Sequence, residues 1–386
     1  MNEPIVNLKH DSLLDPDVVF LNHGSFGATP RPVFECYQNW QLELERQPVE
    51  LLGRQAPKLL RKARASLADY LGTECDNLVY VTNVTVALNV VAHSLALQPG
   101  DEVLASDMEY GAIDRTWRFL AQKQGFKYIN QPLTVPVIDR ARLIEDFWKG
   151  VTPRTKVITI SHITSPTAMI LPVKEICRLA RARGILTLID GAHAPGQIDL
   201  DLEDIGADFY GGNCHKWLCS PKGAGFLYAA PNVQHLVEPL VVSWGWQSET
   251  PGASQFVDYL EWSGTRDISA FLAVPEAIHY LEAHHWEKVR RSCHDLARQA
   301  VERICLISGI SPLYPLTTEW FSQMAVAPLK ESIDPVALQA RLREQYHIEV
   351  PVLSWNGYKL VRLSVQAYNT SQDLDCLVFA LEKLTL

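Results

Sequence analysis

The sequence predicts an α/β protein: a large domain with a mostly parallel sheet flanked by helices, followed by a smaller α+β domain toward the C-terminus. Three observations lead there. Short apolar runs at 78–82, 103–105, 127–130, 156–161 and 185–189 have the length and β-branched content of strands, and amphipathic helix-length stretches lie between the earlier ones. The run at 185–189 ends on a lone carboxylate, Asp190, and open α/β sheets bind ligands beyond the C-terminal ends of their strands. After about residue 307 the pattern changes to strands at 324–328, 348–352 and 359–364 alternating with helices at 335–346 and 371–384.

Taken in order, residues 22–32 have the Gly and Pro density of an ordered loop. Residues 33–71 read as helical, interrupted near Pro48 and Pro57, and the basic set Lys58, Arg61, Lys62 and Arg64 reads as a solvated face. The strand at 78–82 breaks on Asn83-Val84-Thr85, which opens a helix over 86–96. Free N–H groups at a helix start, with about half a positive charge from the dipole, suit a phosphate dianion. Asn83, Val84 and Thr85 are therefore phosphate candidates, and an N-cap by Asn83 or Thr85 is compatible with that role. Pro99-Gly100 turns into the strand at 103–105, which delivers Tyr110; a helix at 113–124, a strand at 127–130, a helix at 141–148 and a strand at 156–161 follow. The acidic stretch 199–204 reads as helix-free, and one long helical region, 268–307, leads out of the large domain. Arg362 interrupts an apolar strand, and a buried guanidinium needs an anionic partner.

Composition narrows the function classes. The chain has 386 residues, 47% of them hydrophobic, and a net charge of −9, with no basic run interleaved with aromatics. That is ample for sizeable cores and excludes a nucleic-acid face, leaving a small molecule as the partner. No apolar run reaches 18 residues and the first ten residues lack an apolar leader, so the sequence reading is cytoplasmic, with no membrane partner. Eight cysteines without a CxxC pair argue against a disulfide framework and against a metal site.

The chemistry concentrates between 185 and 222. Lys216 lies between His215 and Trp217, just after the Gly-rich run Gly211-Gly212-Asn213. A lysine in such surroundings can lose its proton near neutral pH and attack a carbonyl. Paired with Asp190, it points to pyridoxal 5′-phosphate (PLP): the lysine forms the Schiff base, and the aspartate keeps the pyridine nitrogen protonated so that the ring accepts electrons.

Asp190-Gly191-Ala192-His193, Gly211-Gly212-Asn213-Cys214-His215-Lys216-Trp217 and Pro221-Lys222-Gly223-Ala224-Gly225 together resemble the class V aminotransferase family, fold type I PLP-dependent transferases, over almost the whole chain. Leu21-Asn22-His23-Gly24-Ser25-Phe26-Gly27 looks most like the isopenicillin N epimerase-type and cysteine desulfhydrase-like members. The resemblance implies a large PLP-binding domain at 22–267 and a small domain made of 1–21 and 268–386. It implies that Lys216 carries the cofactor and then serves as base, and that Asp190 faces the ring nitrogen. Asn83, Val84, Thr85, Asn213 and His215 would hold the phosphate, with Thr265 reaching in from the partner of a homodimer with shared active sites. The loops at 242–247 and 262–266 match the regions that do this in relatives. Tyr110 would stack on the ring. Ser165 stands where desulfurases carry an asparagine bonded to the phenolic oxygen, and His193 is the other candidate for that oxygen. Asn22, His23 and Gly24 would lie over the substrate, and Arg362 would grip its α-carboxylate. The implied activity is at the α-carbon of an amino acid or amino-acid-containing substrate, epimerase-like or aminotransferase-like. The alternative is a C–S lyase working by β-elimination. Residues 308–375 contain no cysteine, which argues against a persulfide mechanism.

Overall fold

A computed structural model describes residues 7–385; the first six residues, part of the expected small domain, lie outside the described residues with Leu386. The strands are β1 (Val19–Phe20), β2 (Leu78–Val81), β3 (Glu102–Ser106), β4 (Lys127–Gln131), β5 (Thr155–Ser161), β6 (Leu186–Gly191), β7 (Phe209–Asn213), β8 (Gly225–Ala229), β9 (Met324–Leu329), β10 (Ile348–Glu349), β11 (Val352–Trp355) and β12 (Tyr358–Ser364).

Seven of them form one sheet in the order β2-β8-β7-β6-β5-β3-β4. Neighbours are parallel except at β8, which runs antiparallel to both β7 and β2. The mostly parallel sheet is as predicted, and β7 and β8 are the strands of it that the apolar runs did not reveal. Residues 214–224, between β7 and β8, are too few for the crossover of a dozen or more residues that a parallel neighbour requires. Alternate residues feed two cores, one on each face: Val79, Leu188 and Leu227 on one side, Tyr80, Ile189 and Tyr210 on the other. The helices Val84–Ser94 and Gly111–Gln124 supply Leu88, Val91 and Trp117 to the first core; Ala56–Leu71 and Val173–Arg181 supply Leu67 and Ile176 to the second. Since β2, β3, β5, β6 and β7 all point the same way, their C-terminal ends share one edge, and Asn83, Ser106, Ser161, Asp190 and Asn213 gather there.

Toward the C-terminus, β11-β12-β9 form an antiparallel sheet, backed by the helices Trp286–Ser308 and Ser371–Thr385. The N-terminal segment is tied to this region: β1 pairs parallel with β10, and Asn22 bridges to Ser364.

Several expectations change in detail. The 199–204 stretch is not helix-free, because Asp201 accepts the Asp204 N–H at 2.8 Å and caps a short helix, Leu202–Ile205. The region 268–307 divides into Ser269–Leu272, Val274–Ala283 and Trp286–Ser308; Pro275 sits in the first turn of the second, and His285 enters the third in a left-handed conformation with φ 50°. The interruption near Pro48 and Pro57 takes a specific form: the helix Arg31–Arg46 ends at Gln47, a π-helical stretch Val49–Gln55 follows, and Pro57 lies in the first turn of the α-helix Ala56–Leu71. Pro351 splits the expected 348–352 strand into β10 and β11. Lys58, Arg61 and Lys62 are solvated as expected, but Arg64 turns inward, 3% exposed, and pairs with Glu261 and Asp76.

Candidate active site

A cavity of ≈ 560 Å³ opens at the C-terminal edge of the large sheet. Asp190, His193, Asn213, His215 and Lys216 line it from β6, β7 and the loops that follow; Asn83, Val84 and Thr85 line it from the start of the helix Val84–Ser94. Tyr110 and Ser165 line it from the loops after β3 and β5, whereas Arg362, on β12, is not among the lining residues.

Two glycines shape the backbone around Lys216. A Cβ on Gly27 (φ 70°) would lie 1.9 Å from the His215 carbonyl oxygen, and one on Gly196 (φ 86°) 2.2 Å from that of Trp217. Only glycine allows both approaches. The Lys216 carbonyl is bonded to Cys219 N–H at 3.1 Å and to His23 Nε2 at 3.0 Å, which fixes the main chain while the side chain enters the cavity. Burial lowers the Lys216 amine to about 8, with the nearby Asp190 pulling it back up and Arg362 pushing it further down. His193 Nε2 lies 3.3 Å from Lys216 Nζ.

Asp190 is 2% exposed. Its Oδ1 accepts the Ala192 N–H at 2.9 Å, while its buried Oδ2 has no partner in the protein. Desolvation raises its pKa, and the Ala192 N–H and Lys216 oppose that rise. A buried, unpartnered carboxylate oxygen calls for a charged N–H donor, and a pyridinium nitrogen is such a group. Behind it lies a residue that the sequence reading missed. Glu109 accepts hydrogen bonds from Ser106 Oγ at 2.5 Å and Ser161 Oγ at 2.7 Å, and desolvation, aided by the negative charge of Asp190, raises it to about 7. Its position directly before Tyr110 was the available signal.

The phosphate candidates divide into frame and donors. Asn213 Oδ1 accepts the Val84 N–H at 2.9 Å, and Asn83 Oδ1 accepts the Val86 N–H at 3.1 Å, so Val84 and these two oxygens are committed to each other. The N–H and hydroxyl of Thr85 have no partner among the described residues. His215 directs Nδ1 to the Ala224 carbonyl at 3.0 Å, leaving Nε2, and burial lowers its pKa to about 4.

Arg362, 6% exposed, shows no ion pair with a carboxylate among the described residues. Its Nη1 donates to the carbonyl and hydroxyl oxygens of Ser165 at 2.7 and 3.0 Å, its Nη2 donates to Ser25 Oγ at 3.2 Å, and its buried Nε has no partner. Ser165 therefore supports the arginine. Desolvation lowers the guanidinium to about 10.

Asn22, His23 and Gly24 do not line the cavity; the structure corrects this expectation. Asn22 donates to Glu349 Oε1 at 2.9 Å and accepts from Ser25 Oγ at 2.6 Å. His23 bonds Tyr368 through Nδ1 and the Lys216 carbonyl through Nε2, and Gly24 is packed so that a Cβ would sit 2.7 Å from Met324 Sδ. The cavity-facing residues of this motif are Ser25 and Phe26. Thr265 is exposed and away from this cavity, as are Val242 and Trp244, the latter 86% exposed.

Comparison with known proteins agrees with this geometry. The family model of Aminotransferase class-V matches residues 28–377. The chain belongs to the class V aminotransferases. It is thus a PLP-dependent enzyme by family, and the unpartnered Asp190 oxygen and desolvated Lys216 fit that cofactor. Among curated relatives, the isopenicillin N epimerase of Amycolatopsis lactamdurans is 37% identical, over 98% of this chain and 98% of the relative. A probable chloroplastic L-cysteine desulfhydrase of Arabidopsis thaliana is 27% identical, over 93% of this chain and 81% of the relative. The fold matches the apo cysteine desulfurase of Thermococcus onnurineus NA1 with a TM-score of 0.84 at 20% identity, over 100% of this chain and 98% of that one. The large sheet and its helices are accordingly those of fold type I. Among the described residues, no helix is long and apolar enough to cross a membrane.

Proposed function

We propose that this class V enzyme removes the α-proton of an amino acid, or of a substrate that contains one, and that its reaction is epimerase-like or aminotransferase-like. The observation that carries the reading is a cavity wall holding an amine lowered to about 8 and a buried carboxylate oxygen without a partner, with a guanidinium that lacks an acid bonded to the lining residues Ser165 and Ser25. When bound, PLP supplies an aldehyde for covalent attachment and a ring that accepts the electron pair left at the α-carbon. Lys216 makes that attachment and then moves the proton, since its amine is largely neutral above pH 8. Asp190 Oδ2 holds a proton-bearing nitrogen by a charge-assisted bond. Thr85, with Asn83, Val84, Asn213 and His215 around it, receives the phosphate. Tyr110, 46% exposed at the mouth, covers the ring face, and His193 donates to an acceptor beside the lysine. Arg362 exchanges serine partners for the substrate carboxylate, a bidentate ligand that neutral hydroxyls cannot match.

The reading extends to a homodimer whose partner contributes Thr265 to each site, supported by the exposed Thr265 and the protruding Val242 and Trp244, and to a cytoplasmic location. It also retains the division into a large domain at 22–267 and a small one from 1–21 and 268–386. A second reading, β-elimination of a C–S bond, is favoured by the likeness to the Arabidopsis desulfhydrase. Either way no thiolate takes part: Cys214 and Cys219 are buried, with burial pushing Cys219 up to about 12 and Cys214 higher still.

A panel of amino acids and short peptides in D2O tests the proposal. Exchange of the α-proton with inversion supports the epimerase, exchange with keto acid release the aminotransferase, and pyruvate with sulfide from cysteine the lyase. No exchange and no product from any member would refute action at the α-carbon.

A further inference from the structure

Trp217 follows the reactive lysine in sequence, is fully buried, and turns its ring away from the cavity. Its indole Nε1–H donates to His193 Nδ1 at 3.2 Å. An indole nitrogen can only donate, so the imidazole nitrogen opposite it must accept. A neutral imidazole has one N–H, and with Nδ1 accepting, that proton is on Nε2. This is the nitrogen 3.3 Å from Lys216 Nζ.

We propose that Trp217 is a positioning residue that locks His193 as a hydrogen-bond donor toward Lys216 and so favours the lysine as a neutral amine. An ammonium has three donors and no lone pair. Facing the His193 Nε2–H it meets a second donor, whereas a neutral amine accepts from it. Were His193 free to carry its proton on Nδ1, its Nε2 lone pair would accept from the ammonium and hold the lysine charged. The indole blocks that alternative, because adopting it breaks a buried bond and sets two donors against each other.

The charges around the pair are compatible with this role. His193 is faced by Lys216 from its own loop, His215 beside it, Arg362 from β12 and His23 from the N-terminal helical turn; together with burial, all of them disfavour a protonated imidazole. Lys216 is faced by Asp190 from β6, which favours its charged form, and by Arg362, which disfavours it. Asp190 therefore opposes the amine, and the Trp217–His193 bond counteracts it locally. With the lysine joined to the cofactor, the same Nε2–H remains a donor for an acceptor beside it.

The inference rests on the proposal that Lys216 is the reactive lysine, but its test does not depend on the reaction. A neutron structure of the apo protein reads the tautomer directly: deuterium on Nε2 and none on Nδ1 of His193 is expected, and deuterium on Nδ1 overturns the proposal whether or not any variant folds. In parallel, cyanate labelling of the apo protein across neutral to alkaline pH, followed by peptide mapping, titrates individual lysines. In Trp217→Phe the Lys216 curve is expected to move to higher pH, with labelling at neutral pH roughly tenfold lower, while Lys222 in the same protein keeps its curve. A Lys216 curve that does not move, in a variant whose Lys222 curve is intact, contradicts the proposal. If Lys216 were not the cofactor lysine, the cofactor would map elsewhere while tautomer and titration stayed as stated.

Discussion

At the cavity, Asp190 Oδ2 from β6 and, beside its lining serines, Arg362 Nε from β12 are buried without partners, whereas in the N-terminal motif Asn22 and His23 have both ends of their side chains bonded. The two regions meet at the Lys216 carbonyl oxygen, which His23 holds from behind, and at Ser25 Oγ, which accepts from Arg362 Nη2. A buried polar atom without a partner costs stability unless a ligand supplies the missing bond. On the proposed function, Asp190 and Arg362 therefore carry a cost that cofactor and substrate relieve, whereas Asn22 and His23 belong to a frame whose bonds are complete before any ligand arrives.

This contrast separates activity from stability. Asp190→Ala is expected to lower kcat at least ~100-fold, since a charge-assisted bond of about 3 kcal/mol matters most as charge develops in the transition state. The same change should leave the urea midpoint of the apo protein nearly unchanged, because deleting the unpartnered Oδ2 offsets the loss of the Ala192 N–H bond to Oδ1. His23→Ala should do the reverse: it strands the Tyr368 hydroxyl, takes one of two donors from the Lys216 carbonyl and costs about 2 kcal/mol or more in urea unfolding, with kcat within about tenfold of the parent. A parent-like kcat in Asp190→Ala would break the contrast.

Glu109 sharpens it through pH. Its carboxyl is raised from 4.5 to about 7, so the folded state keeps a proton that the unfolded state releases between those values. Its contribution is fully present below pH 4.5 and is lost as pH rises through 7. The difference, 7 − 4.5 = 2.5, corresponds to about 3.5 kcal/mol at ~1.4 kcal/mol per pH unit. Glu109→Gln should therefore gain stability relative to the parent between acid and neutral pH, by up to that amount. Parallel urea titrations at the two pH values measure it, and a constant gap would mean that Glu109 titrates normally.

Much of this was legible in the sequence, and the exceptions have a common cause. The apolar run before Asp190 and the His215-Lys216-Trp217 triplet announce themselves locally, and the structure gathers Asp190, His193, Asn213, His215 and Lys216 around one cavity. What was misplaced depends on direction or on distance along the chain. The motif around Asn22 was visible, but the helical turn His23–Phe26 presents Ser25 and Phe26 to the cavity and turns His23 away from it, a choice that a motif does not encode. Arg362 was expected to grip the substrate carboxylate, and the serines that hold it without substrate, Ser165 and Ser25, lie 197 and 337 residues away in sequence and were not foreseen. Arg64 was taken for a solvated residue because its partner, Glu261, is equally remote. The reversal at β8 follows from the length of the loop that carries Lys216, and the pattern of apolar residues is silent about strand direction.

A smaller effect tests the frame itself. Gly24→Ala places a methyl group against Met324 Sδ and Ser364 Oγ, and overpacking of this kind costs about 1–3 kcal/mol. Thermal unfolding should show the loss, with cofactor binding retained. A variant as stable as the parent would mean that the packing between motif and β12 gives way readily.

The central claim is that the desolvated amine of Lys216, opposite Asp190, carries the cofactor. Borohydride reduction of the holoenzyme followed by peptide mapping tests it most directly. The account predicts the pyridoxyl label on Lys216 alone, and none in Lys216→Ala. A label on Lys222, six residues further along the same loop, would contradict it.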